Sequence, residues 1–487
     1  MVMYSAGSYN FKQSQGGQAL IYITAMLVVM ALGAAYVFNA GQISNEKTRL
    51  QNTTDAVAYS VAIIEAKDLN FKAYTNRAMV ANQVAVAQAV GMVSWLRWLK
   101  ITSRNIGAVT SFIPYVNAVT RVIANAARTL SDAGEIAMRA MAIFGDATVR
   151  ILSGAQRAMH FATIGIARET LVDVARANDP QINTALSFSD VIFWNSLRTG
   201  HYNFTSQYDP EVVRSGRGGV AYREHKKRMD EFRKVTLDSR DPFSKARNYR
   251  YGPRINLAVI RFEMRKRGGT ELLGSNRRAQ YYTWAAMDTL SMHTSRWRCS
   301  LRRGCRWRGW SESIPIGWGA AQASKQRDTV YYSRTRGSNY GGTWSTNRRA
   351  SSLAAGEFQA ARNVYSSFGG LQPFYDIRQE GLIEQAPGIM VLLTKNNSSS
   401  AVKTMKDTGF NRNGGPLDLE SQGGMMKNRL HSVARATPYF SRPNDLWSRG
   451  SGAGREYGNL YNPYWQARLS KISDGELRRT QLIARTL

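Results

Sequence analysis

Residues 18 to 40 constrain this chain more than any other stretch. The run Gln18-Ala-Leu-Ile-Tyr-Ile-Thr-Ala-Met-Leu-Val-Val-Met-Ala-Leu-Gly-Ala-Ala-Tyr-Val-Phe-Asn-Ala40 carries no charge over its 23 residues. A helix rises about 1.5 Å per residue, so this one reaches about 34 Å and can cross a hydrocarbon core of about 30 Å. A secretory signal peptide is the competing reading, but its apolar core is shorter and a small-residue cleavage site follows it. Here the helical pattern runs straight on, so residues 18–40 read as an uncleaved transmembrane helix behind a polar cytoplasmic head, residues 1–17.

Beyond the span, Val57, Val61 and Ile64 fall at i, i+4 and i+7, and Met79, Val86, Val90 and Val93 repeat that face. Neither Gly nor Pro interrupts Ile43 to Val90. Span and stalk together predict one helix of about 80 residues, roughly 120 Å long. A helix of that length needs neighbours along its stripe, from this chain or another. The face through Val57, Val61, Ile64, Val86, Val90 and Val93 is therefore the expected assembly face. Residues 101–178 are also helical. Arg121, Arg128, Asp132, Glu135, Arg139, Asp146, Arg150 and Arg157 share one stripe, and the other faces are apolar, which predicts burial on several sides in a bundle or against a partner. The uncharged run Asn105 to Thr120 contains Pro114, is too short for a second span and reads as a core helix or one lying in the interface. Gly134, Gly145 and Gly154 offer places for close approach.

Several stretches carry a family resemblance. Gly17-Gln-Ala-Leu20, Arg49-Leu-Gln-Asn-Thr-Thr-Asp-Ala-Val-Ala58 and Asn76-Arg-Ala-Met-Val-Ala-Asn-Gln-Val-Ala-Val-Ala-Gln88 resemble the amino-terminal region of the TadG-like proteins of the Tad (Flp) pilus-assembly system. Arg267-Gly-Gly-Thr270, Trp284-Ala-Ala-Met-Asp-Thr289, Pro315-Ile-Gly-Trp-Gly-Ala-Ala321 and Asn459-Leu-Tyr-Asn-Pro-Tyr-Trp-Gln-Ala-Arg-Leu469 resemble stretches of its large members. The resemblance is good over roughly residues 15–90 and patchy afterwards. It implies an anchored accessory subunit that works with other pilus or secretion-system subunits.

From about Ala185 the composition turns to Arg, Gly, Ser, Tyr and Trp, and breakers recur, as at Arg217-Gly-Gly219, Gly252-Pro253 and Gly268-Gly269. Runs 256–262 and 388–394 read as strands, 223–234 and 353–364 as helices, and 395–428 and 441–458 as loops. The fold class is thus membrane-anchored α+β: a transmembrane helix over 18–40, a helical stalk or bundle over 41–180, and a loop-rich basic α+β region over 181–487.

Charge separates function classes. The chain has 65 Lys and Arg against 34 Asp and Glu, a formal +31, of which only Lys12 precedes Ser44. The part beyond the span favours an anionic neighbour, either a polyanion such as DNA or lipopolysaccharide or an acidic protein. The only cysteines, Cys299 and Cys305, suit one disulfide in an oxidising compartment and cannot fill a four-ligand zinc site. With the resemblance, they orient the chain: amino terminus in the cytoplasm of the bacterial inner membrane, bulk in the periplasm or at the surface. The five histidines are scattered without paired spacing.

Enzyme motifs are missing. There is no phosphate-binding Gly-Lys-Ser/Thr loop, no G-x-S-x-G elbow and no H-E-x-x-H. Some Tad proteins carry a metal-dependent adhesion module with the signature Asp-x-Ser-x-Ser, but Asp288-Thr-Leu-Ser291 puts leucine at its first serine. No catalytic, cofactor or metal residue is assigned. Pilin precursors carry glutamate five residues after the processed glycine, and Tyr22 stands there instead, which argues against processing after Gly17. An envelope hydrolase is the weakest alternative. The most distinctive local segment is Arg296-Trp-Arg-Cys-Ser-Leu-Arg-Arg-Gly-Cys-Arg-Trp-Arg-Gly-Trp310. There Arg296, Arg298, Arg302, Arg303, Arg306 and Arg308 alternate with Trp297, Trp307 and Trp310 around the cysteine pair. Arginine with tryptophan gives cation–π stacking and a charge-dense hairpin, read here as a surface for a polyanion or protein partner.

Overall fold

A computed structural model describes residues 18–111, 114–182, 188–216, 218–273, 280–300, 304–325, 340–359, 363–378, 383–396, 429–442 and 458–478. Its spine is α1, Gln18–Val109, a single helix of 92 residues and so about 138 Å long. Helix α2, Pro114–Asn178, turns back along it. Proline opens α2, where its missing N–H costs nothing, and Asp179-Pro180 closes it. The two helices are zipped antiparallel. Near the turn, Arg97 grips Glu135 with two bonds of 2.8 and 2.9 Å, and Lys100 donates to Asp132 at 2.8 Å. Midway, Gly145 lies against Val86 and Gly134 against Leu96, so close that a methyl at either would collide with that side chain. At the open end Arg49 donates to the Asn178 carbonyl at 3.1 Å. The run at 105–120, expected as a core or interfacial helix, is the bend of this hairpin.

Two antiparallel sheets and a ribbon flank the spine. Strands β2 Tyr249–Leu257, β3 Ile260–Leu273, β4 Thr283–Ser300, β6 Ser311–Ser324 and β7 Asn363–Tyr365 lie side by side, and β5 Gly304–Trp307 pairs with the end of β4. Among the described residues only the β6–β7 pair is parallel. Nearer the span, β9 Ile389–Asn396, β10 Arg429–Phe440 and β11 Trp465–Leu469 form a second sheet. Strands β1 Thr205–Tyr208 and β8 Phe374–Ile377 pair between them. Helices α3, Phe188–Leu197, α4, Pro210–Ser215, and α5, Val220–Asp238, fill the flanks.

Residues 284–289, 315–321 and 459–469 lie where sheet meets spine. A Cβ on Gly319 would stand 2.4 Å from the Ser94 carbonyl oxygen, and one on Gly317 would collide with Thr102, so only glycine lets β6 reach α1. Asp288 on β4 accepts from Ser94 of α1 at 2.7 Å, from Arg247 at 2.9 Å and from Lys266, all inside the core. Trp284 donates to Gln83 at 2.9 Å, and Asn70 exchanges two bonds with the Trp465 backbone.

Some local expectations shift. Residues 256–262 are not one strand but the β2–β3 turn, with Leu257 paired to Ile260 across Ala258-Val259. The helix expected over 353–364 spans Arg348–Gln359, and Val364 belongs to β7. The loops expected at 395–428 and 441–458 fall mostly outside the described residues.

Candidate functional site

The candidate span stands apart from the rest of the chain. Apart from half-buried Leu32, its large apolar side chains are exposed, Leu20 at 67% and Val37 at 70% among them. Apolar surface on that scale has no place in water, and a 23-residue uncharged helix fits a bilayer.

From Leu50 onward α1 behaves in the opposite way. Val57, Val61, Val86, Val90 and Val93 are wholly buried, and Ile64 is half-buried. Their neighbours are this chain's own elements. Val57 and Val61 share a core with Ala167 and Leu171 of α2, Val391 of β9 and Ala434 of β10; Val86, Val90 and Val93 share one with Val149 of α2 and Trp284 of β4. The face read as waiting for a partner is thus filled from within.

Helix α2 corrects a second expectation. Its charged stripe is only in part an outer face: Arg121, Arg128, Arg139 and Arg157 are exposed, but the carboxylates are engaged within the chain. Asp132 and Glu135 turn to α1, and Asp146 is buried, accepting from the Gly369 backbone N–H at 2.9 Å and pairing with Arg150 at 2.7 Å. Apolar residues point outwards as well: Val122, Ile136, Phe144 and Ile151 are each about 70% exposed. The helix is buried on one side, not several.

The arginine–tryptophan segment forms a β-hairpin closed by the Cys299–Cys305 disulfide. Strand alternation sorts its side chains. Trp297 faces Trp307, with ring centroids 5.3 Å apart, on the disulfide face, and Arg261 lies 3.7 Å over the Trp307 ring. Arg298 faces Arg306 on the other side, and next to them Arg308 donates its backbone N–H to the Arg296 carbonyl. Arg296, Arg298 and Arg308 line a cleft of about 340 Å³ with Arg349 and Glu312. Glu312 is committed elsewhere, accepting from the Arg349 and Ala350 backbones and from Ser291. Among the described residues, the guanidinium groups of Arg296, Arg298, Arg306 and Arg308 meet no carboxylate, and like charges opposite one another are unfavourable. Trp310 lies apart, under Arg254 and Arg265. Arg302 and Arg303 lie outside the described residues.

One cluster was not read from the sequence. His160 of α2 stacks on His201 with centroids 4.2 Å apart, although the histidines read as scattered. His201 contacts Glu65 through Nδ1 at 3.0 Å and the His160 carbonyl through Nε2 at 2.7 Å. Lys72 donates to Asp68 and lies 3.0 Å from His160 Nδ1. Every member is buried. Asp68, His160 and His201 come within metal-binding reach of one another, but the Lys72 ammonium already sits between Asp68 and His160. The chain supplies its own cation there. Burial, the Lys72 charge and His201 push the His160 imidazole down to about 2. Burial opposes protonation of His201 too, but the Glu65 and Asp68 carboxylates outweigh it and raise its pKa. With His201 protonated, two carboxylates balance two cations.

Comparison with known proteins adds one match. No curated protein and no solved structure matches the chain. Residues 17–63, covering the span and the first turns of the stalk, match the family model described as Putative Flp pilus-assembly TadE/G-like, so the amino-terminal segment of this protein carries a Tad domain.

Proposed function

We propose that this protein is a structural, non-catalytic accessory subunit of a Tad-like (Flp) type IV pilus assembly. A single span holds it in the bacterial inner membrane, with the amino terminus in the cytoplasm and the bulk in the periplasm or at the surface. It works by packing and tethering to other subunits. One observation carries the reading: a Tad domain on a bare span leads into a rigid hairpin of helices whose outer side is left apolar. Deletion of the gene, with surface pili scored by microscopy, tests it. Loss of pili, restored by the full chain but not by a chain lacking residues 18–40, is the expected result. Normal piliation without the protein overturns it.

A second reading rests on the hairpin arginines, which meet no carboxylate among the described residues. Arg296, Arg298, Arg306 and Arg308 on one face suit a membrane-anchored polyanion-binding protein, for DNA uptake or envelope attachment. Counterion release then makes binding fall steeply with salt. Binding of the full chain to duplex DNA and to lipopolysaccharide across a salt series, parent against Arg296→Ala/Arg298→Ala/Arg308→Ala, separates the readings. Equal binding by both chains removes this one.

A further inference from the structure

The outer face of α2 has a period that its exposure alone does not show. From Val116 to Gly165 the exposed residues recur at spacings of 3 and 4 without a break, over 15 positions. One row, seven residues apart, reads Val116, Ile123, Leu130, Ala137, Phe144 and Ile151, and continues to Ala158 and Gly165. The row between starts at Val119, runs through small residues from Ala126 to Gly154 and ends at Phe161. Every one of these positions is exposed, and none is charged.

A repeat of 3.5 sustained over seven heptads is the seam of a left-handed coiled coil. Among the described residues the seam has no partner: α1 packs on another side of α2, through Gly145 and Ala142. We propose that the occupant is a second copy of the same chain, its α2 lying parallel and in register.

Three observations select that occupant. The first is area. A strip 49 residues long and about one helix wide measures roughly 73 Å by 10 Å, on the order of 700 Å², close to the ~800 Å² that each partner of a stable interface buries. The second is direction. Copies that share one span of fixed orientation stand side by side in the bilayer, so their α2 helices run the same way and a two-fold contact puts each seam residue against itself. The third is charge. The chain is strongly basic, yet a second copy meets no repulsion here. The flanking Arg150 and Arg157 face Ala155 and Ala162 across a parallel, in-register seam, five residues on in the partner.

The proposal rests on the function above only in placing the chain upright in a membrane. Its test uses cysteines in the full-length protein in native membranes. Cys299 and Cys305 are bonded to each other, so an introduced cysteine is the reactive thiol. Ala140→Cys and Ala147→Cys, on the seam, should each form a disulfide dimer under mild oxidation. Arg139→Cys, equally exposed but off the seam, should not. Adding Phe144→Asp to Ala147→Cys should abolish the dimer. The inference is overturned if neither seam cysteine pairs with itself, if Arg139→Cys pairs equally well, or if the seam cysteines join a different protein. Loss of pili on deletion with no self-pairing at the seam would leave the assembly role standing and remove the second copy.

Discussion

Helices α1 and α2 are both long, both apolar and zipped to each other, yet they end up in opposite situations. Past the span, α1 is sheathed by α2 on one side and by β4, β6, β9 and β10 on others. Helix α2 buries its α1-facing side and leaves a row of isoleucine, valine, leucine and phenylalanine bare. Amphipathicity therefore does not say who will cover a face. In α1 the apolar stripe is where this chain's own sheets pack. In α2 it is surplus, and surplus apolar surface of this extent marks an interaction site. The comparison makes one substitution mean different things on the two helices.

The largest effect belongs to α1. Val90→Asp places an unpaired carboxylate in a site with no exposure at all. The cost is on the order of 4 kcal/mol or more, a large part of the stability of a typical domain. We expect the variant to be degraded or to unfold well below the parent melting temperature in detergent. A variant that folds normally but fails to assemble would reverse the assignment of the two faces.

The middle of α1 is where burial and charge meet, and it gives the next effect. His160 stays neutral in the fold, its pKa depressed to about 2. Below about pH 6.5 the unfolded chain takes up a proton that the folded one refuses, so stability falls as pH drops, by about 1.4 kcal/mol per pH unit. His201 has the opposite sign, because its folded pKa is raised. Its contribution is complete below about pH 6.5 and is lost as pH rises through the folded value. Lowered values at His293 and His431 act in the direction of His160, while Asp376, raised to about 6, opposes it. The measurement is therefore a difference. Relative to the parent, His160→Gln should lose less stability between pH 6.5 and 5, and His201→Gln should lose less above pH 6.5. Identical slopes in parent and variants would show that the pair does not titrate as the cluster requires.

Much of this contrast was legible in the sequence, and the missing part has a physical reason. The span, the unbroken stalk and the cysteine-closed hairpin are local, set by runs and spacings that the fold leaves intact. The histidine cluster is not local, since Glu65, Asp68 and Lys72 lie far from His160 and His201 along the chain. It did leave a trace. Glu65, Asp68, Lys72, Asn76 and Gln83 continue the face of Val57 and Val61 at spacings of 3, 4, 4 and 7. Polar side chains on a core face must find partners, and these do. On α2 the eye goes to the charges, but Asp132, Glu135 and Asp146 are spent on α1 and on the Gly369 backbone. The heptad of exposed residues beside them, Ile123, Leu130, Ala137, Phe144 and Ile151, was written just as openly.

The smallest effect on stability, and the sharpest on assembly, belongs to that heptad. Phe144 is 72% exposed and Ile151 is 70% exposed, so an aspartate at either keeps its water. Surface changes of this kind shift stability by no more than about 0.5 kcal/mol. The melting temperature of Phe144→Asp or Ile151→Asp should match the parent, where Val90→Asp falls far below it. Two carboxylates facing each other across a dry seam would be desolvated and mutually repelled, so self-association should be lost. Light scattering of the purified full chain in detergent reads both chains side by side. Parent and variant of equal mass and equal melting temperature would show that the bare face of α2 carries no copy of itself. An equal drop in melting temperature for Val90→Asp and Ile151→Asp would show that the two helices are not different after all.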